Sequence, residues 1–327
     1  MLKLPDGWWH EGWAALPDGG LVLLGSFPDG DGYARTLAWA SPDELTLQPV
    51  PHVDAGAFAA HEPFLLGVPS GGCVIVTDPQ TAWAHQAPGS APREIRLDGG
   101  EVFTTVEPSP RLRGGCAVTT DAGTAPAWAV VLSHGVLSQE KRHAADLTID
   151  LEAGAGSWSG PIRTLRPDDF PRDPFGDDDF GEVGEPAVSL TATLRHGGAL
   201  LVISEGSDLG SMNRYGSDFV TVAAIGTDDA VTDRAWERSG WKREPGKHGV
   251  HGRFTSDGRH VLLTPSFRTG EWKGRQRVLR LEDRSLLTPA LPKGWTKARL
   301  LDGHGPTWWL DREGELMAVA DLELHAG

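Results

Sequence analysis

The sequence predicts an all-β protein that folds as a single β-propeller domain over residues 1–327. Three observations predict it: short apolar runs bounded by turn-forming residues, one hairpin plan that recurs along the chain, and a scarcity of helical periodicity. Four-stranded units that repeat every 40–60 residues or so are typical of propellers, whose closed ring protects the strand edges.

The strand signal comes from short apolar runs. Residues 21–24, 73–76, 200–203 and 260–263 are apolar or β-branched and are bounded by Gly, Asp, Pro or Ser. Runs with no polar residue between them predict strands that are buried on both faces. The best helix candidate, residues 138–150, fits a hairpin equally well.

The hairpin plan is a strand, a tight turn built on Gly, and a strongly apolar strand. Its copies span residues 13–25, 64–76, 111–119, 190–203, 252–264 and 307–319, the third being the weakest. Asp-Gly and Gly-Gly supply the positive φ angles that two-residue hairpin turns need. A two-sheet sandwich would also contain short strands, but it would not explain the recurrence of one hairpin.

The length of the chain fits six four-stranded blades of about 55 residues each; seven blades are the alternative. The last unit begins near Asp302 and leaves 26 residues, which are too few for four strands and a connection. We therefore expect residues 1–4 to supply the missing outer strand, so that the N- and C-termini close one blade.

One copy of the hairpin resembles a known repeat. Residues 254–262, Phe-Thr-Ser-Asp-Gly-Arg-His-Val-Leu, look like the repeat of WD-like, TolB-type propellers, which centres on Phe-Ser-x-Asp-Gly-x-x-Leu. The Trp-Asp and Gly-His signatures of true WD repeats do not recur in this chain. The resemblance implies a fold and does not indicate an activity.

A His or Glu stands 7 to 12 residues before the turn glycine of each hairpin copy. The innermost strand of a propeller blade begins at the mouth of the central channel, so we expect these side chains to converge there. The residues are His10, His61, Glu107, Glu185, His251 and His304.

The converging His residues predict a metal centre. His10, His61, His251 and His304 come from units that are neighbours around a closed ring. Several neutral imidazoles at one point favour a divalent metal ion, here Fe, Zn or Mn. Glu107 and Glu185 are the predicted catalytic residues, as general base or as partners that orient a His.

This pattern is similar to that of carotenoid cleavage oxygenases, propellers that hold iron on the axis with four His and carry Glu behind them. Oligogalacturonate lyases, TolB-like propellers with a His-bound metal, are a second analogue. This chain is shorter than the oxygenases and has six predicted units where they have seven. The resemblance implies a metal-dependent lyase, isomerase or oxygenase that acts on a small molecule.

Three residues are expected to contact that substrate: Trp9, beside His10, and Arg214 and Tyr215 in the long loop 205–218. The acidic segment 167–185 is either a solvated insertion or a lid over the channel. Cys73 and Cys116 follow Gly-Gly pairs at equivalent places, which favours packed core positions over reactive thiols.

Composition limits the partners. The chain has 30 Lys and Arg against 45 Asp and Glu, a net charge of −15, which does not favour nucleic acid or an anionic membrane. Two Cys exclude a disulfide scaffold, and the absence of a signal peptide or a membrane-length apolar run predicts a cytoplasmic protein. The alternative function is a non-catalytic propeller whose rim binds a carbohydrate or a protein, for which the acidic surface would suit a basic partner.

Overall fold

The structure is a computed structural model that describes residues 1–30, 32–53, 63–99, 111–118, 127–134, 141–165, 187–196, 199–207, 217–225, 231–242, 250–265 and 276–326. All regular elements in these residues are strands, which confirms the all-β prediction there. No helix in these ranges is long and apolar enough to cross a membrane. The candidate helix at 138–150 is instead largely strand β12, Lys141–Asp150.

Four sheets are single blades of four or five antiparallel strands. One contains β2 (Trp9–Ala15), β3 (Leu21–Asp29), β4 (Gly32–Ala40) and β5 (Leu45–Pro49). The next contains β14 (Ala187–His196), β15 (Ala199–Ser207), β16 (Ser217–Ile225) and β17 (Val231–Lys242). A third contains β18 (Val250–Phe254), β19 (His260–Pro265), β20 (Arg277–Arg280), β21 (Leu286–Pro289) and β25 (Leu324–Ala326). The fourth contains β22 (Arg299–His304), β23 (Thr307–Arg312), β24 (Glu315–Ala320) and β1 (Leu2–Lys3).

The fifth sheet has eight strands and consists of two antiparallel meanders. One meander is β6 (Phe64–Gly67), β7 (Cys73–Asp78), β8 (Thr81–His85) and β9 (Arg93–Asp98). The other is β10 (Arg111–Val118), β11 (Ala127–His134), β12 and β13 (Ala155–Leu165). The two meanders join through parallel pairing of β9 with β13, in which Ala155 lies opposite Arg96.

The first strands of these units contact one another in sequence order: β22 with β2, β2 with β6, β6 with β10, β10 with β14, and β14 with β18. Since each later strand is added outward from its first strand, the first strands lie innermost and the sheets radiate from them. This arrangement is propeller-like, as the sequence predicts.

The core lies between neighbouring sheets. Leu21 and Leu23 on one face of β3 pack in one apolar cluster with Leu301 and Trp309 of the fourth blade. Leu24 on the other face belongs to a second cluster, together with Leu65 and Ile75 of the eight-stranded sheet. Residues 21–24 and 74–76 are fully buried, which confirms the expectation that these runs face core on both sides.

The Gly-based turns are confirmed in several copies of the hairpin plan. Gly19 connects β2 to β3 with φ of +86°, and Gly71 and Gly72 connect β6 to β7 with φ of +94° and +87°. Gly258 lies in the turn between β18 and β19 with φ of +66°. These angles are costly for residues with a Cβ, so the glycines fix where each hairpin turns.

Two copies differ from the prediction. Gly114 and Gly115 lie inside β10, where the register with β11 shifts, and they form no hairpin turn. A Gly pair accommodates a β-bulge as readily as a turn, so local sequence does not separate the two. The last hairpin, with Glu313 and Gly314 at its turn, connects β23 to β24, which are the second and third strands of their blade.

The N-terminal segment adds the outer strand of the last blade, as predicted. Leu2 lies opposite Leu316 on β24 and Lys3 opposite Glu315, and the Leu4 amide donates to the Gly314 carbonyl at 2.8 Å. Leu2 and Leu4 are both buried. The C-terminal end differs from the expectation, because β25 leaves this blade and pairs with β21 of the preceding one. Each terminus thus covers the edge of a different blade.

The Leu4→Ala variant tests the closure. Leu4 is 2% exposed, and truncation of a buried Leu to Ala costs about 2–5 kcal/mol of stability. We expect thermal unfolding to show a melting temperature lower by several degrees, whereas Lys3→Ala, at the exposed position before Leu4, leaves it nearly unchanged. Equal melting temperatures for Leu4→Ala and the wild type would contradict closure by this strand.

Candidate functional site

Several predicted site residues lie outside the described part of the chain, as does the acidic segment 167–185. These residues are His61, Glu107, Glu185, Arg214 and Tyr215. For His251 the structure describes only the backbone, which places it on β18 opposite Thr264. Trp9, His10 and His304 are described in full, so the geometry of the site is built from their surroundings.

His10 and His304 lie at opposite ends of their strands. His10 lies near the start of β2, and the charge of Arg299 at the start of β22 influences its pKa. At the other end of β2, the Ala15 amide donates to Asp302, near the end of β22. The two strands therefore run side by side in the same direction. At about 3.3 Å per residue, His304 lies on the order of 16 Å further along the strands than Arg299. A single ion cannot contact both His10 and His304.

The cause is the position of the last hairpin copy. Its turn lies between β23 and β24, whereas the first copy turns between β2 and β3. The first copy joins the first and second strands of its blade, whereas the last copy joins the second and third. For this reason His304, which precedes the last copy, lies at the end of its inner strand and His10 near the beginning of its own.

His10 is held as a neutral imidazole. Burial lowers its pKa, while Asp311 raises it in part and Arg299 lowers it further. The ring meets Trp13 edge-on, with centroids 6.0 Å apart, and Nε2 lies 3.9 Å from an Asp311 carboxylate oxygen. Among the described residues, Nδ1 has no hydrogen-bond partner although it is buried.

Trp13 stands between two guanidinium groups from two other blades. The Arg253 guanidinium carbon lies 4.2 Å from the centre of the indole and that of Arg299 4.7 Å. The indole Nε1 donates to the Leu301 carbonyl at 2.8 Å, and Arg253 donates to the carbonyl of Trp13 itself. Strands β2, β18 and β22 thus meet at one aromatic ring through cation–π contacts.

The guanidinium groups of the two arginines differ in the contacts that they make. Arg253 lies 4.0 Å from the buried carboxylate of Asp302 in addition to its contacts with Trp13. Arg299 donates no hydrogen bond to any described residue, and its side chain is exposed to solvent. The surrounding protein nevertheless lowers its pKa by desolvation, against the attraction of Asp311. Arg299 is thus an exposed cation at the start of β22 that donates to none of the residues the structure describes.

Asp302 lies on β22 three residues after Arg299 and is fully buried. One carboxylate oxygen accepts from the amides of Ser256 and Gly303, both at 2.8 Å. The other accepts from the Ala15 amide at 3.0 Å and the Ser256 hydroxyl at 2.5 Å. Burial raises the pKa of the Asp302 carboxyl, and Arg253 together with these hydrogen bonds lowers it in part.

The segment that resembles a TolB-type repeat supplies part of this junction. Its Ser256 contacts both Ala15 and Asp302, and its Asp257 accepts from the Gly305 amide at 3.1 Å. Asp257 also accepts from the Thr255 hydroxyl at 2.7 Å, which fixes the turn. In this chain the segment therefore ties the β18–β19 hairpin to the neighbouring blade.

Two residues beside His10 face elsewhere. Trp9 is 70% exposed and is available to a ligand. Glu11 accepts from the Ser26 hydroxyl at 2.9 Å and pairs with Arg35 at 2.7 Å, so it points away from His10, as its strand position predicts. Within the described ranges no group of three or more His, Cys, Asp or Glu side chains is placed to hold a metal ion.

Sequence reasoning missed Arg253, Arg299 and Asp302. Asp302 could have been found from the sequence. A single carboxylate between Leu301 and Gly303 in an apolar strand requires hydrogen-bond donors around it. Arg253 stands inside the fifth hairpin copy, where its neighbours are the usual strand residues. Its contact with Trp13, 240 residues away in sequence, leaves no local trace.

Solved structures are similar to this chain in fold at low sequence identity. No protein-family model matches the chain, and no curated protein matches it by sequence. The β-propeller domain of Nup133 from Vanderwaltozyma polyspora is similar over 81% of this chain and 70% of that domain, with 10% identity and a TM-score of 0.39. The polysaccharide lyase Uly1 is similar over 82% of this chain and 57% of its own, with 11% identity and a TM-score of 0.33.

The Asp302→Asn variant tests the buried junction. Both carboxylate oxygens accept from backbone N–H groups, so the amide NH2 of Asn faces a donor in either orientation. We expect a loss of about 3–5 kcal/mol in the free energy of unfolding, measured by urea titration, although the side chain keeps its size.

The control is Asp43→Asn at an exposed turn position, which should change the free energy of unfolding by less than about 0.5 kcal/mol. A wild-type unfolding curve for Asp302→Asn would show that the carboxylate charge is not needed at the junction.

Proposed function

We propose that this protein binds a small anionic molecule, bearing a carboxylate or phosphate group, on the inner face of its first strands. The observation that carries the proposal is Arg299, an exposed guanidinium that stacks on Trp13 and donates to no described residue. The planar guanidinium carries its N–H groups in a fork, which matches the two oxygens of a carboxylate or phosphate.

The neighbouring charges favour the same ligand. Arg253 adds a second cation beside Trp13, and the Asp302 carboxylate lies 4.0 Å from it within the buried junction. Asp311 attracts Arg299 but accepts from the Gly314 amide at 2.9 Å, so part of its charge is already engaged. Trp9, at the same end of β2, has an exposed aromatic ring that a ligand could contact.

The Arg299→Gln variant tests this function. Candidate anions are inorganic phosphate, citrate and D-glucuronate, with D-glucose as the neutral probe, measured by calorimetry and thermal shift. Loss of one charge-assisted contact weakens binding about tenfold to a hundredfold. We expect that loss in Arg299→Gln and a smaller one in Arg299→Lys, which keeps the charge without the fork.

Arg96→Gln is the matched control, because Arg96 is exposed and lies on the outer strand β9. Unchanged affinity in Arg299→Gln, or equal loss in Arg96→Gln, would overturn the proposed site. No binding of any of the anions by the wild type would do the same.

A metal-dependent enzyme is the second candidate function. His10 favours it, because burial keeps its imidazole neutral and Nδ1 is without a partner among the described residues. In this hypothesis His10, His61 and His251 hold Fe, Zn or Mn, and Glu107 or Glu185 moves a proton in a lyase, isomerase or oxygenase reaction. The cation Arg299 beside His10 acts against a divalent ion, which is why anion binding ranks first.

Metal analysis of the purified full chain tests the second candidate. We expect one metal equivalent in the wild type that is lost in the His61→Ala, His251→Ala double variant. A wild type that binds no more metal than the double variant, while still binding anions through Arg299, would leave only the first function.

We also propose that the ring has six blades in one domain. Each meander of the eight-stranded sheet has four strands, like the separate blades, and its first strand contacts the first strands on both sides. A rim that binds a protein or carbohydrate remains compatible with this architecture.

A further inference from the structure

Two histidines meet at the seam between the first blade and the eight-stranded sheet. The Nε2 atoms of His52 and His85 are 3.3 Å apart, and the two rings are nearly parallel with centroids 5.3 Å apart. His52 follows β5, and His85 ends β8. Neither residue is among those described around Trp13, and the sequence alone predicts no role for either.

Both rings are held in place by their surroundings. His52 lies between Val50 and Val53, which are buried in the core between the two sheets, and the Val53 amide donates to the Val50 carbonyl at 3.0 Å. His52 also packs on Trp83, with ring centroids 4.3 Å apart. His85 is 1% exposed and lies opposite Cys73 in the sheet register. The two Nε2 atoms therefore face each other without large freedom to separate.

The hydrogen bond between the rings satisfies His85 poorly. Only one of its nitrogens is engaged, because Nδ1 is buried and has no partner within the described part of the chain. Burial of an imidazole with a single neutral hydrogen bond is unfavourable. Burial lowers the pKa of both His52 and His85, and the proximity of His52 lowers that of His85 further, to about 4. Both imidazoles are therefore neutral at pH 7 and keep a lone pair for a ligand.

The separation of the two nitrogens suits a shared metal ion. Zinc binds imidazole nitrogen at about 2.0–2.1 Å, and at a tetrahedral angle two such ligands lie about 3.3 Å apart. Neutral imidazole pairs favour zinc and related first-row ions over magnesium or calcium, which prefer oxygen. Among the described residues no third His, Cys, Asp or Glu completes the set, so solvent would fill the remaining positions.

We propose that His52 and His85 bind one zinc-class divalent ion through their Nε2 atoms, and that this ion fastens the segment after β5 to strand β8. The site is independent of anion binding at Arg299 and of the metal centre predicted from His10, His61 and His251. Its role is to tie two sheets together, because one ligand comes from each.

Zinc titration of the EDTA-treated full chain tests the site. We expect calorimetry to show one zinc equivalent that is absent in His52→Phe, a change that keeps an aromatic ring on Trp83 but removes both nitrogens. We also expect zinc at a hundredfold excess over its Kd to raise the melting temperature of the wild type by roughly 5 °C, with no such shift in His52→Phe. Magnesium should give no shift in either protein.

Two further variants make the outcome decisive. His325→Gln, at an exposed position near the C-terminus, should bind zinc like the wild type. His61→Ala, His251→Ala removes the other predicted metal centre and should retain the His52-dependent equivalent. His85→Gln is a weaker probe, because a change at this buried position can destabilise the fold by itself. His52 is only half-buried, so the test uses His52→Phe. Wild-type zinc binding in His52→Phe, or no zinc binding by the wild type, would overturn the proposal.

Discussion

The buried carboxylate of Asp302 is the interaction on which the meeting of the first and last blades depends. A charge with no access to water is tolerated only where donors surround it. Here they come from Ala15 at the end of β2, from Ser256 after β18, and from Gly303 on its own strand. Three blades, one of them from the opposite end of the chain, therefore share one acceptor.

The candidate site follows from that junction. Ala15 is fixed against Asp302, and Trp13, two residues earlier on β2, contacts Arg253 and Arg299. Arg253 lies toward the carbonyl of Trp13 and the Asp302 carboxylate. Arg299, at the other end of β22, donates to none of the residues that the structure describes. One end of the inner strands is thus locked by hydrogen bonds, and the other carries unsatisfied polar groups.

The local sequence predicts where strands and turns lie, but it does not predict which strands of a blade each hairpin joins. The Gly turns at Gly19 and Gly71 require positive φ, so they marked their hairpins correctly, and the closing strand at Leu2 followed from counting strands. Gly114 and Gly115 fit the pattern of a turn in the sequence, because the same conformational freedom serves a bulge. The hairpin pattern that follows His304 predicts that this residue starts a strand, and His304 ends one, because the pattern does not say which pair of strands it joins.

The site residues were harder, because their meaning lies in contacts between blades. A lone Asp before Gly303 is ordinary in sequence, and only the donors from Ala15 and Ser256 make it a junction. The pair of His52 and His85 likewise forms across two sheets, from residues 33 positions apart. Periodicity reports which face of a strand is buried, and it does not report which strand lies opposite.

The parallel pairing of β9 with β13 has a consequence for how the ring opens. Backbone groups of residues 96–98 bond to those of residues 155–157, while Trp158 donates to the Pro79 carbonyl and Arg93 to the carbonyls of Leu151 and Glu152. If either meander came apart, the other would lose the partners of its outermost strand. We therefore expect the two meanders to open as one cooperative unit, so that the amide protons paired at the β9–β13 junction exchange with similar protection on both sides.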